Sequence, residues 1–177
     1  MVLVWIKDTF FPVEAFCSIL LENRQMKLHI RPATIADLPV LLEFEQGLIH
    51  AERPMDPRIR DEHVQYYDLP DFIQDPDRCL LVGLLQEQIV ACGYAKILPD
   101  RPYLDHSHYA YLGFMYVPPK HRGNGYNQQI LDKLVQWCHG RNIREIRLDV
   151  YTVNESAIKA YTKGGFKPYL LNMRLED

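Results

Sequence analysis

From Leu28 to Leu175 the spacing of apolar positions changes period repeatedly, and each change marks an element. Leu28 to Arg31 alternate apolar and polar as in a short strand. Thr34, with Asp37 three residues on, has the form of a helix N-cap with a reciprocal partner. Leu38, Leu41, Leu42, Leu48 and Ile49 then recur near helical spacing and predict a helix over about 35–49 with one buried face. Pro54, Pro57, Pro70 and Pro76 restrict the following stretch, 51–77, to loops and short helices.

Two apolar runs, 79–85 and 89–98, flank Gln86-Glu87-Gln88, a spacing that predicts an antiparallel hairpin. A third run, 108–117, reads as a strand with Gly113 as a bulge position. Ile130, Leu131, Leu134, Val135 and Cys138 form one helical face that stops near Gly140. Ile143, Ile146, Leu148 and Val150 return to a strand, 154–163 makes a helix with a Gly164-Gly165 stop, and 166–175 predicts a final strand or pair of strands. This order describes an α+β domain with a mixed, mostly antiparallel central sheet flanked by helices. The strand, helix, strand of 108–151 makes a right-handed crossover, with a ligand expected beyond its strand ends. Residues 1–26 read either as a short helix packed on the body or as an extension ahead of Met26, which leaves 27–177 as a single domain.

Composition narrows the function classes. Acidic and basic residues, 23 and 20, are interspersed, so no basic face points to nucleic acid or an anionic membrane. Cys17, Cys79, Cys92 and Cys138 are widely spaced, with no pairing at zinc-ligand spacing, and read as reduced, buried thiols; no metal is expected. With no apolar run long enough to span a bilayer and no secretory leader, a cytoplasmic protein is expected.

The chemistry concentrates after the third strand, in Val117-Pro118-Pro119-Lys120-His121-Arg122-Gly123-Asn124-Gly125-Tyr126-Asn127. A strand ends, two glycines permit a tight turn and an amphipathic helix begins. Backbone N–H groups of such a turn converge, and the helix start adds roughly half a positive charge, which together make a pyrophosphate cradle. An ordinary tight turn carries the same signal. No Gly-Lys-Ser/Thr follows, as a P-loop needs, and no GxGxxG, as a dinucleotide fold needs.

The stretch resembles the acyl-CoA-binding motif of the GNAT acetyltransferases, Arg/Gln-x-x-Gly-x-Gly/Ala after a Val-x-Pro strand end. Asn127 departs from it, standing where Gly or Ala is usual. A second match is Leu148-Asp149-Val150 followed by Asn154, Ala157, Tyr161 and Gly165-Phe166, which is similar to the family's strand, Asn-x-x-Ala, Tyr, Gly-Phe segment. Asn154 and Tyr161 lie two helical turns apart and so share a face.

The resemblance implies acetyl-CoA as cosubstrate and direct attack of an amine on the thioester. It implies that Arg122, Gly123, Asn124, Gly125, Tyr126 and Asn127 hold the pyrophosphate and that Tyr161 is the acid that protonates the departing thiolate. The N–H of Met115 or Tyr116 would bind the thioester oxygen, with Val117 beside the pantetheine. Asn154 either contacts the cosubstrate or caps its helix. Some relatives carry a Glu on this strand two positions before the residue matching Met115; here that position is Gly113. The base must come from elsewhere, and Glu45, Glu52, His106, His108 or an escorted water are candidates.

Residues 43–77 hold ten Asp or Glu against three Arg, with Tyr66, Tyr67 and Phe72 interleaved. Such a rim suits a cationic small-molecule or peptide amine, whereas Arg53 would suit an acceptor bearing a carboxylate. The expectation is an N-acetyltransferase. Its alternative is a noncatalytic acyl-CoA-binding sensor, favoured by Gly113 and disfavoured by Tyr161; a preference for longer acyl groups and a homodimer are also open.

Overall fold

In the computed structural model, the described residues are 3–6, 9–12 and 27–175. Strands β1 (Leu3–Ile6) and β2 (Thr9–Pro12) pair as an antiparallel hairpin, in place of a helix over those residues. The rest of the first 26 residues, Cys17 included, lies outside the described residues.

Five strands form the central sheet in the order of the chain: β3 (His29–Pro32), β4 (Arg78–Leu85), β5 (Gln88–Pro99), β6 (His108–Tyr116) and β7 (Ile146–Leu148). The first three pairings are antiparallel and β6–β7 is parallel, which confirms the mixed, mostly antiparallel sheet. The β4–β5 hairpin closes on two residues, Gln86 and Glu87, at φ 47° and 65°. Consecutive left-handed residues give the turn a twist that matches the flanking strands.

Helix α1 (Leu38–Glu52) is entered through a 3-10 turn at Ile35–Asp37. The buried Asp37 carboxylate accepts from the Thr34 N–H at 2.7 Å and the Thr34 hydroxyl at 2.9 Å, and Arg31 reaches it with two bonds of 2.7 and 2.9 Å. The helix runs past the predicted end at residue 49, so Glu52 is its last residue. Leu41, Phe44 and Ile49 put its apolar stripe on one face of the sheet. Helix α2 (Leu69–Gln74) starts on Asp68, whose carboxylate accepts from the Asp71 N–H, with Pro70 at the tolerated first turn.

Helix α3 (Tyr126–Gly140) covers the opposite face, with Ile130, Leu131, Leu134 and Cys138 at most 1% exposed. Burying each of the aliphatic side chains is worth about 1.5–3 kcal/mol. Helix α4 (Glu155–Lys163) ends on the two predicted glycines. Gly165 takes φ 93°, and the Phe166 N–H closes on the Tyr161 carbonyl at 3.0 Å.

Two expectations are corrected. The strand predicted over 143–150 is confined to Ile146–Leu148, and 166–175 forms no strand. The apolar side chains of that final segment, Tyr169, Leu170, Leu171, Met173 and Leu175, are 67–89% exposed. Phe166 keeps the start of the segment on the core beside Tyr161, and the rest is anchored by polar contacts: Tyr169 stacks on Arg147, and Arg174 pairs with Asp56 through two bonds of 2.9 Å.

Candidate active site

Strands β6 and β7 are paired only from Ala110/Ile146 to Leu112/Leu148. Beyond that point no described strand covers the outer edge of Gly113–Tyr116, so the backbone there faces an opening rather than a ladder. On the inner edge Tyr94 opposes Gly113 and Cys92 opposes Tyr116, so β6 carries one residue more than β5. The bulge expected at Gly113 falls one residue later: Gly113 pairs with Tyr94, and Phe114 and Met115 together face Gly93, with Phe114 at φ 50°. A bulky residue held there costs about 1–3 kcal/mol, a strain characteristic of functional sites. It re-aims the backbone at Met115 and Tyr116, where a donor for a thioester oxygen was expected.

Val117 then leads into a short 3-10 turn at Pro119–His121 and the glycine turn. Gly123 and Gly125 have φ 81° and 72°, conformations that L side chains rarely adopt. A Cβ on Gly123 would meet nothing within 4 Å, so the turn faces open space. Arg122 donates through Nε to the Val117 carbonyl at 3.0 Å, and the Asn124 amide donates to the His121 and Arg122 carbonyls at 3.0 and 3.2 Å. These bonds brace the turn from within. Gly125 caps α3 without a side chain, which leaves the first N–H groups of the helix available to an anion.

The Tyr126 ring is 4% exposed and belongs to the core, so a ligand meets its backbone alone. Asn127, half-buried in the first turn of α3, leaves the helix start intact. His121, which the motif did not single out, has a buried Nε2 with no hydrogen-bond partner among the described residues. The geometry fits a pyrophosphate: open space over a glycine turn and helical N–H groups free of any side-chain cap.

Asn154 caps α4, its Oδ1 accepting from the Ala157 N–H at 3.1 Å. A Cβ on Gly164 would come within 2.9 Å of a Leu131 methyl, so the end of α4 rests close against α3. This contact holds Tyr161 beside the helix of the phosphate turn. Burial, and after it the negative charge of Glu52, pushes the Tyr161 phenol up to about 12.

Glu52 is the meeting point of the site. Burial raises its carboxyl above the usual 4.5, opposed by a hydrogen bond from the Tyr66 phenol. Its charge is also felt at Tyr66, Tyr67, Tyr151 and Tyr161. Tyr66 was expected in the acceptor rim, but its partner was not legible, and Tyr151 was not singled out at all, because nothing in the local pattern of 60–68 or 149–153 shows what they face.

The other carboxylate behaves differently. Glu45 is fully buried, and its Oε1 accepts from the backbone N–H groups of Tyr66 and Tyr67 at 2.8 and 2.9 Å.

Three candidates are not brought to the site. Arg53 spends its guanidinium on the carbonyls of Arg60, Asp61 and Glu62, at 2.8–3.2 Å, and organises the loop rather than awaiting a carboxylate. His106 bonds Asp100 and Asp105 through its two ring nitrogens, both at 2.9 Å. His108 begins β6 and is separated from Tyr116 by eight residues, roughly 25 Å of strand. Of the cysteines, burial lifts Cys79 to about 11 and Cys138 to about 12, and raises Cys92 as well, so these three are inert thiols.

Comparison with known proteins agrees with this geometry. No curated protein matches the chain. Among solved structures, a tetramutant of the BH1408 protein from Bacillus halodurans is 22% identical, over 83% of this chain and 98% of that one, with a TM-score of 0.75. A predicted acetyltransferase from Clostridium acetobutylicum, solved with acetyl-CoA, is 20% identical over 84% and 96% of the two chains, TM-score 0.65. An aminoglycoside antibiotic 6′-N-acetyltransferase from Acinetobacter haemolyticus is 17% identical over 84% and 98%, TM-score 0.65. At these identities the likeness shows a shared fold. The sequence profile of the acetyltransferase (GNAT) family matches residues 46–166, from the second half of α1 through the phosphate turn to Phe166, and the chain belongs to that family.

Proposed function

We propose that residues 27–177 form one catalytic domain that transfers an acetyl group from acetyl-CoA to a primary amine of a small molecule or peptide. The observation that carries this is the glycine turn at Gly123 and Gly125, open to solvent and feeding the uncapped start of α3, with Glu52 at the end of α1 and Tyr161 on α4 as groups suited to accept and to donate a proton.

Acetyl-CoA, when bound, supplies the activated acyl group. Its pyrophosphate would rest on the turn Arg122–Asn127 and its pantetheine along Val117, while the N–H of Met115 or Tyr116 polarises the thioester carbonyl. Glu52 removes a proton from the incoming ammonium, directly or through one water, and frees the lone pair for attack. The C–N bond forms as the C–S bond breaks, Tyr161 hands its phenolic proton to the departing sulfur, and the second proton shed by the new amide nitrogen returns the Tyr161 phenolate to its neutral form. Its raised pKa keeps that proton in place throughout the neutral range. Tyr66, Tyr67 and Tyr151 around a carboxylate make an aromatic and acidic wall suited to a cationic acceptor.

The test is release of free thiol from acetyl-CoA against amines, amino acids, polyamines, aminoglycosides and peptides, with calorimetric titration of acetyl-CoA in parallel. One amine class that drives turnover well above hydrolysis supports the enzyme. Tight binding with no acceptor supports a noncatalytic sensor instead, and no binding overturns both.

A further inference from the structure

We propose that Glu45 is a positioning residue for Glu52: it fixes the backbone at Tyr66 and Tyr67 and so holds the Tyr66 phenol on the Glu52 carboxylate. This rests on the reading of Glu52 as the base. Glu45 and Glu52 are seven residues apart on α1, two turns, so they lie on one stripe about 10 Å apart along the axis. Tyr66 bridges them, with its backbone N–H on Glu45 and its phenol on Glu52.

A fully buried carboxylate is costly unless its oxygens are bonded, and Glu45 has no ion pair among the described residues. Its bonds are two amide donors converging on Oε1, from a stretch that belongs to no helix or strand, while Oε2 is buried with no partner among the described residues. The next residue completes the clamp: the Gln46 side-chain amide donates to the Val64 carbonyl at 2.9 Å. Consecutive side chains of α1 therefore hold 64–67 by its backbone, and the one residue there whose phenol reaches Glu52 is set in place indirectly. The Tyr67 ring, packed on Tyr94 and Phe114 with centroids 5.4 and 5.0 Å away, locks the other side of the same stretch.

A merely structural Glu45 would change stability alone; a positioning residue must also change how Glu52 titrates. The experiment compares Glu45→Met, which keeps side-chain volume without an acceptor, with Glu45→Gln, Tyr66→Phe and the double variant Glu45→Met/Tyr66→Phe. Acetyl-CoA titration checks the fold, hydrogen exchange reads the Tyr66 and Tyr67 amides, and kcat/KM is followed against pH with the best amine or, without one, by acetyl-CoA hydrolysis.

Glu45→Met is expected to lose protection at both amides, to slow kcat/KM roughly 10- to 100-fold, and to move the acid limb as Tyr66→Phe does. The double variant should be no more than about twofold slower than the worse single one, because both changes break one linkage. Glu45→Gln, whose amide oxygen accepts the same two bonds, should restore protection and most of the rate. Multiplying rather than overlapping effects, or an unmoved acid limb in Glu45→Met, overturns the positioning role. If Glu45→Met does not fold, Gln46→Ala tests the same clamp through the Val64 anchor, with the same criteria. A Glu52→Gln variant as fast as the parent removes the base itself, an outcome distinct from additive Glu45 and Tyr66 effects with Glu52 still required.

Discussion

The Tyr94 phenol stands where a side chain on Gly113 would have to go: an added Cβ would lie 2.6 Å from both Cζ and Oη of that ring. Tyr94 on β5 opposes Gly113 across the sheet, so aromatic and side chain would compete for one volume. The strand carboxylate that some relatives carry at this place therefore has no room here. Gly113→Ala is expected to displace the ring and destabilise the fold by about 1–3 kcal/mol, read as a lower urea midpoint. Adding Tyr94→Leu should recover part of that loss.

Tyr161→Phe removes the proposed acid and little else, since the ring still packs on Phe166 at a centroid distance of 6.2 Å. A fall in kcat of about 10²–10⁴ is expected, with acetyl-CoA affinity unchanged within about twofold. Equal turnover by the two proteins would take Tyr161 out of the mechanism.

Glu52 must be ionised to act, so kcat/KM should fall as pH drops through its pKa, which burial places above 4.5. The Tyr66 bond pulls that pKa down, so Tyr66→Phe should shift the acid limb to higher pH. The stability effect has the opposite sense to that of a paired carboxylate. A folded-state pKa above the unfolded one means that ionised Glu52 opposes folding at neutral pH, and Glu52→Gln should raise Tm at pH 7 while abolishing most activity. A lower Tm would show that the charge stabilises the fold.

His106 joins Asp105 and Asp100, which together raise its pKa above the ordinary 6.5; the Asp100 side chain is 4% exposed. Raised folded-state pKa in a cationic group gives a stabilisation fully present below pH 6.5 and lost as pH rises through the higher value. Thermal melts from about pH 6 to 9 should fall more steeply for the parent than for His106→Asn. Parallel curves would count against the imidazolium.

Strand β5, helix α3 and the glycine stop after α4 were legible because each is a local pattern: an apolar run bounded by turn residues, a helical stripe, a positive φ that selects glycine. The glycine turn before α3 was legible for the same reason, since Arg122 to Asn127 and the helix they open are contiguous. The segment 166–175 was misread as a strand, because its alternation is real but strand formation needs an edge with free N–H and C=O groups in reach, which local sequence does not report. The length of β7 was overread on the same ground.

By itself the sequence determined the order of elements from β3 to α4 and the glycine turn at 122–125 that opens α3, which depend on neighbours within a few residues. Only the tertiary structure gave Glu45 and Glu52, both of them acidic residues on one helical stripe, their different surroundings. One turns to bury itself on the amides of Tyr66 and Tyr67; the other, two turns on, meets a phenol and shares its field with Tyr161. That difference arises from segments distant in the chain, the loop at 66–67 and, more than a hundred residues on, α4, where burial and charge set what a carboxylate does.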